Sequence, residues 1–455
     1  MTERPGRRPE SERLQQQMAL EVERFTARHP RSRQLHDDAS RSLLGGVPMN
    51  WMGRWPGPWP VFAASANGAE VIDVDGNHFD DFCLGDTGAM SGHSPAPTVA
   101  AITARAASGI TTMLPNEDGA WVGAELARRF GLPLWQVAMT ATDANRFALR
   151  IARAVTGRPK VLVFNWCYHG TVDETFAVLA DDGSVVPRPG SLGPQVDVAL
   201  TTKVVEQNDL AALERALAPG DVACVLAEPA LTNIGIVLPD PGFHEGLRSL
   251  TRDAGTLLVI DETHTLCAGP GGYTAVHGLE PDLLTVGKPL AGGVPAGAYG
   301  MTEAVARAVR QPLSFSSDAD VSGIGGTLTG NALTLAAMRA TLGEVLTDEA
   351  YGRMIPLAER WAAGVAGVIE EHGLGWTVQR LGCRAEYWFC PPPSNGGEAA
   401  VAVDHELDAY MHLFALNRGI LLTPFHNMAL MSPATTAEQV DRHTSVFAEA
   451  VATLF

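Results

Sequence analysis

The sequence predicts an α/β fold: a large domain around a mostly parallel central sheet, with a smaller α+β lobe formed by the N- and C-terminal segments. Short apolar runs at 161–164, 221–227, 256–260 and Leu283–Val286 alternate with amphipathic stretches at 143–156, 208–217 and 242–254. That alternation implies parallel strands covered by helices on both faces. Chain length supports two lobes, because 455 residues exceed one small core. The expected division is an N-terminal segment over 1–85, a large domain over 86–345 and a C-terminal domain over 346–455 that packs with the first segment.

In order along the chain, residues 10–36 read as one polar helix, and 45–62, dense in Gly, Pro and Trp, as a shaped loop. Residues 69–74 and 78–82 form a hairpin around Asp75-Gly76-Asn77. From 143 to 156, Phe147, Ile151, Ala152 and Val155 share one helical face, and Gly157 supplies the stop. Residues 330–345 form a further helix, and the remainder returns to mixed helix and strand.

The formal charge of −18 sets the average surface against nucleic acid and anionic lipid, and no local basic patch offsets it. No apolar run approaches the roughly 20 residues of a membrane helix. The six cysteines are scattered without metal spacing, so no metal site is expected and reduced thiols in a cytoplasm are. The N-terminal arginines alternate with glutamates, unlike an export or transit signal.

Asp261 directly follows the run 257–260, and Lys288 follows Leu283–Val286 just before the glycine-rich 291–297, so both emerge at one sheet edge. A pyridoxal 5′-phosphate (PLP) site needs a lysine amine for the aldehyde and an acid for the pyridine nitrogen. The plainer alternative is a turn-capping Asp261 and a surface Lys288. Lysine usage weighs against it: the chain has only Lys160, Lys203 and Lys288, and the first two read as solvent-facing.

These residues, with Asp73-Val74-Asp75-Gly76-Asn77, Tyr168-His169-Gly170, Glu228-Pro229, Asp261-Glu262, Gly287-Lys288 and Gly326-Thr327-Leu328-Thr329-Gly330-Asn331, resemble the class III aminotransferases of PLP fold type I. Within them the chain is similar to the branch of glutamate-1-semialdehyde 2,1-aminomutase. The resemblance implies that Lys288 and Asp261 are catalytic and that Thr142, with backbone amides near Asp143, binds the cofactor phosphate at a helix N-terminus. Thr142 is equally a good helix cap. It implies that Tyr168 stacks on the ring, that Asn233 lies near the phenolic oxygen, and that Thr327 reaches the cofactor of a second subunit in a homodimer with shared sites. A core tyrosine, a turn asparagine and a threonine in a glycine turn are the respective alternatives.

The chain also departs from the pattern. Thr263-His264 stands where relatives carry an aliphatic residue and a Gln or Met; both belong to the expected cofactor site, with a core role for His264 as the alternative. No acid occurs in Pro424-Phe425-His426-Asn427-Met428, where the aminomutase branch carries a glutamate. Trp51, Met52, Trp55, Trp59, Phe425 and His426 are expected to line an apolar substrate pocket, with Arg54 as a carboxylate fork. Trp55 and Trp59 otherwise pack on the core. The expected activity is therefore ping-pong amino transfer between a small-molecule amino donor and a keto-acid acceptor. The alternatives are an aminomutase-like isomerase and a non-catalytic PLP-fold binding protein.

Overall fold

A computed structural model of the chain describes residues 6–193, 196–310 and 323–455. They form two compact units. One comprises Ala96–Asp348 and Pro393–Val401. Its seven-stranded sheet runs, edge to edge, Leu134–Ala138, Gly297–Met301, Leu283–Val286, Leu257–Asp261, Val222–Ala227, Lys160–Phe164 and Thr202–Val205. Gly297–Met301 is antiparallel to both neighbours, and the remaining neighbouring pairs are parallel. Every residue of Val222–Ala227 is buried, which is why this central strand reads as an unbroken apolar run. The chain thus has the predicted mostly parallel α/β architecture.

Helix Ala141–Thr156 buries Phe147, Ala148, Ile151 and Ala152. Gly157 ends it with φ 67°, a left-handed conformation that glycine adopts without a Cβ clash. Helix Leu210–Leu217 starts where Asp209 caps Ala212 N–H. Strands Leu134–Ala138 and Thr202–Val205 carry half-buried or polar residues at the sheet edges, and neither shows a clean apolar run. Strand Thr202–Val205 carries Lys203, and the expectation that this lysine faces solvent is corrected: its Nζ lies 2.6 Å from Asp221 Oδ1 and bonds the carbonyl of Ala216. Lys160 reaches the same carboxylate at 3.5 Å and is likewise largely covered.

The other unit comprises the described residues up to Pro95, Glu349–Pro392 and Ala402–Phe455. It holds a four-stranded sheet in the order Ala63–Asn67, Glu70–Asp73, His78–Asp81, Ile420–Leu421, and a three-stranded sheet of Thr377–Leu381, Arg384–Trp388 and Met428–Leu430. In the hairpin turn Asp73 Oδ1 accepts from the N–H groups of Asp75 and Asn77, and Gly76 takes φ 84°. The single helix expected over 10–36 is two helices, Ser11–Arg28 and Pro30–Ala39. Pro30 forces His29 out of the helical region and starts the second helix at its first position. Among the described residues no helix is long and apolar enough to cross a membrane.

Candidate cofactor and active site

The parallel pair Leu257–Asp261 and Leu283–Val286 registers Asp261 opposite Thr285, so the residues just beyond these strand ends converge. Asp261 is buried with both carboxylate oxygens engaged. Oδ2 accepts from Asn145 Nδ2 at 2.7 Å and from His169 Nδ1 at 2.9 Å, and Oδ1 accepts from Thr263 N–H at 3.0 Å. Burial alone raises the carboxyl's pKa, but these hydrogen bonds and the His169 charge outweigh it and hold Asp261 below its usual range. His169 moves the other way: burial lowers its pKa, but Cys167 and the Asp261 carboxylate outweigh this and raise it well above the usual imidazole range. The two shifts run in opposite directions because each group favours the charge of the other, and both favour an ionised Asp261 carboxylate at the strand end.

Asn145 was not among the expected site residues. Besides Asp261 it bonds the His169 carbonyl at 3.1 Å and accepts from Thr285 Oγ1 at 2.6 Å. One side chain therefore ties helix Ala141–Thr156 to two strands and a loop. Its only sequence signal is an asparagine on the apolar face of an amphipathic helix.

That helix begins beside the lysine turn. Thr140 is its N-cap, with Oγ1 accepting from Asp143 N–H at 3.2 Å, which corrects the capping role considered for Thr142. Thr142 Oγ1 instead accepts from Thr171 N–H at 3.1 Å. Gly170 sits against it with φ 76°, where a Cβ would fall 2.1 Å from Thr142 Oγ1. Gly287 and Gly297 admit the helix start in the same way: a Cβ on Gly287 would lie 2.8 Å from that of Ala141, and one on Gly297 2.3 Å from the Thr140 carbonyl oxygen. The helix start, with the first-turn amides of Ala141 and Thr142 at its positive end, therefore packs against Gly287, the residue before Lys288.

Lys288 is half-buried and takes φ 46°, a left-handed conformation costly for a side chain with a Cβ. Its Nζ lies 2.7 Å from His264 Nε2. Thr263 and His264 are both buried, and Thr263 Oγ1 has no hydrogen-bond partner among the described residues. Glu262 points away, accepting from the N–H groups of Tyr273 and Thr274, and burial raises its pKa. Tyr168 is half-buried, with its ring edge-on to Phe176 at 6.2 Å. Its N–H bonds Glu228, which also holds Thr232 and whose pKa burial raises. Asn233 lies in the short loop closed by the Leu231–Val237 bridge. Thr327 is exposed.

The expected substrate residues belong to the other unit. Trp51 packs edge-on against Phe425, with ring centroids 5.9 Å apart, while Met52 and Arg54 on the same loop are exposed. His426 is buried, and its Nδ1 lies 3.2 Å from Glu386 Oε1. Trp55 and Trp59 do not line this cluster: they pack against Phe25, Phe79, Leu413, Leu416 and Leu421, and Trp59 Nε1 bonds the His29 carbonyl.

The donor set around Asp261 and Lys288 fits PLP. It offers an amine for the aldehyde, a fixed carboxylate for the pyridine nitrogen, helix amides for the phosphate, and an orphaned hydroxyl on Thr263. The model of the family Aminotransferase class-III matches residues 51–361. Among curated relatives, glutamate-1-semialdehyde 2,1-aminomutase 2 of Brevibacillus brevis is 33% identical over 90% of this chain and 96% of its own. A crystal structure of a glutamate-1-semialdehyde-aminomutase from Pseudomonas aeruginosa superposes with a TM-score of 0.97 at 50% identity, covering 98% of this chain and all of that one. A lysine-to-alanine variant of a protein so named was solved in complex with PMP. A β-phenylalanine aminotransferase from Variovorax paradoxus matches with a TM-score of 0.86 at 26% identity over 96% of this chain and 97% of its own. The chain belongs to the class III aminotransferase family, and its cofactor is pyridoxal 5′-phosphate.

Proposed function

We propose that this enzyme shifts an amino group between adjacent carbons of one small amino-oxo acid, the aminomutase reaction for which its relatives are named. The 50% identity over 98% of the chain with the Pseudomonas protein carries this reading. Segment 424–428 contains no acid, but Glu386 on the neighbouring strand stands beside His426 and is the acid this reading has to draw on.

When bound, the cofactor supplies an aldehyde for the nitrogen and a protonated ring that withdraws electrons as a C–H bond breaks. The Lys288 amine carries it and moves the proton between carbons. Asp261, kept ionised, holds the ring nitrogen's proton, while Thr142 and the first-turn amides hold the phosphate. Tyr168, Asn233, Thr263 and His264 surround the ring, and Trp51, Met52, Arg54 and His426 contact substrate. A second copy of the chain contributes Thr327, an assignment supported by exposed apolar Leu328, Ile110, Met113 and Leu114. The six unpaired cysteines support a cytoplasmic location.

Intermolecular transamination is the second reading, favoured by the missing acid in 424–428 and by the Variovorax aminotransferase. Supplying one amino-oxo acid with no second carbonyl compound separates them: sustained isomerisation supports the first reading, and a single half-reaction that resumes only on adding a keto acid supports the second.

A further inference from the structure

We infer that His264 is the proton partner of Lys288, taking up the proton that the lysine amine must lose before it can bond the cofactor's aldehyde carbon. The inference rests on Lys288 as the cofactor carrier and is independent of the substrate.

Asp261 and Thr285 are registered neighbours on adjacent parallel strands. His264 and Lys288 each stand three residues beyond that pair, so the sheet itself brings them to the same point. Their nitrogens are 2.7 Å apart. An ammonium only donates, so either the charged lysine donates to a neutral imidazole or the imidazole N–H donates to a neutral amine. In both states one proton lies between the two nitrogens, and exchanging it needs no movement of either chain segment.

Both sides of the contact are held. Glu262, two residues before His264, is anchored by Tyr273 and Thr274 N–H groups, and Lys288 lies between close-packed Gly287 and buried Pro289. Chemistry also singles out this residue type. An ordinary lysine, with a pKa of about 10.4, is almost wholly protonated at neutral pH, whereas an imidazole exchanges protons near pH 6.5. The Gln or Met expected at position 264 from the family pattern accepts no proton there.

The step balances. One N–H bond of the Lys288 ammonium breaks and an N–H bond forms at His264 Nε2, which takes the positive charge. The Lys288 nitrogen then bonds the aldehyde carbon, and its two remaining hydrogens leave with the oxygen as water.

The test measures the rate at which the full-length apoenzyme covalently captures added PLP at neutral pH, followed by absorbance without substrate. Lys288→Ala is expected to abolish capture. His264→Gln, which can hold the lysine but not take its proton, and His264→Ala are expected to slow it about 10²-fold, in keeping with a lost general base. Added imidazole restores the His264→Ala rate. Capture by His264→Gln at the wild-type rate, or no response of His264→Ala to imidazole, overturns the inference while leaving Lys288 as carrier. Undiminished capture by Lys288→Ala overturns the carrier assignment and the inference together.

Discussion

At the scale of single residues, the site depends on one anion and one amine. Lys288→Ala is expected to reduce turnover by at least about 10⁴-fold and Asp261→Asn by about 10²-fold or more, read from kcat with the variants saturated in PLP. Near-normal turnover in either contradicts the assigned roles. Both residues were legible because each directly follows a short buried run, and the scarcity of lysine narrowed the choice. Asn145 was not, since its partners Asp261 and Thr285 lie 116 and 140 residues away and only folding brings them together. Removing it strands the Thr285 hydroxyl and one Asp261 bond, so Asn145→Ala should cost about 1–3 kcal/mol in urea unfolding. A loss under about 0.5 kcal/mol would mean that the buried triad is not held by this side chain.

At the scale of elements, apolar runs located four inner strands because both their faces are buried, while the glycine-bearing inner strand Gly297–Met301 and the edge strands Leu134–Ala138 and Thr202–Val205 escaped notice. The break between Ser11–Arg28 and Pro30–Ala39 was written in Pro30, whose ring restricts the residue before it. Capping was misassigned by two residues because Thr140 and Thr142 are chemically alike, and only backbone geometry separates them. Thr140→Ala should therefore lower stability by about 1 kcal/mol, and it should weaken PLP affinity by loosening the helix start beside Lys288. Unchanged thermal unfolding would contradict the cap. Gly170→Ala has a sharper expectation: with φ 76° and a Cβ 2.1 Å from Thr142 Oγ1, it should displace Thr142 and reduce PLP binding as measured by titration of the apoprotein.

For the molecule as a whole, the parallel architecture was readable from alternation, whereas the polar cluster beneath His426 was not, because Arg384, Glu386, Asp408, His412 and Asn427 come from separate segments. That cluster also sets a pH dependence. Burial, with help from Asp404 and Glu386, pushes the Asp408 carboxyl up to about 7 despite its bond from Asn427 Nδ2. The folded pKa lies above the unfolded one, so this group contributes stability below about pH 3.8 that is lost as pH rises through about 7. A shift of that size is worth up to about 4 kcal/mol in a sealed site, and the partial exposure of Asp408 reduces it to roughly 2 kcal/mol. Asp408→Asn should raise Tm relative to wild type at pH 8 and lose that advantage at pH 4. Parallel Tm profiles across the range would contradict it.

The account turns on Lys288 as the residue that carries the cofactor, and three lysines make this directly measurable. Borohydride reduction of the PLP-loaded protein fixes a cofactor held through a carbon–nitrogen double bond, and peptide mass spectrometry then locates it. The account predicts the added mass on the peptide containing Lys288. Its appearance on Lys160 or Lys203, or no fixed cofactor at all, would contradict it.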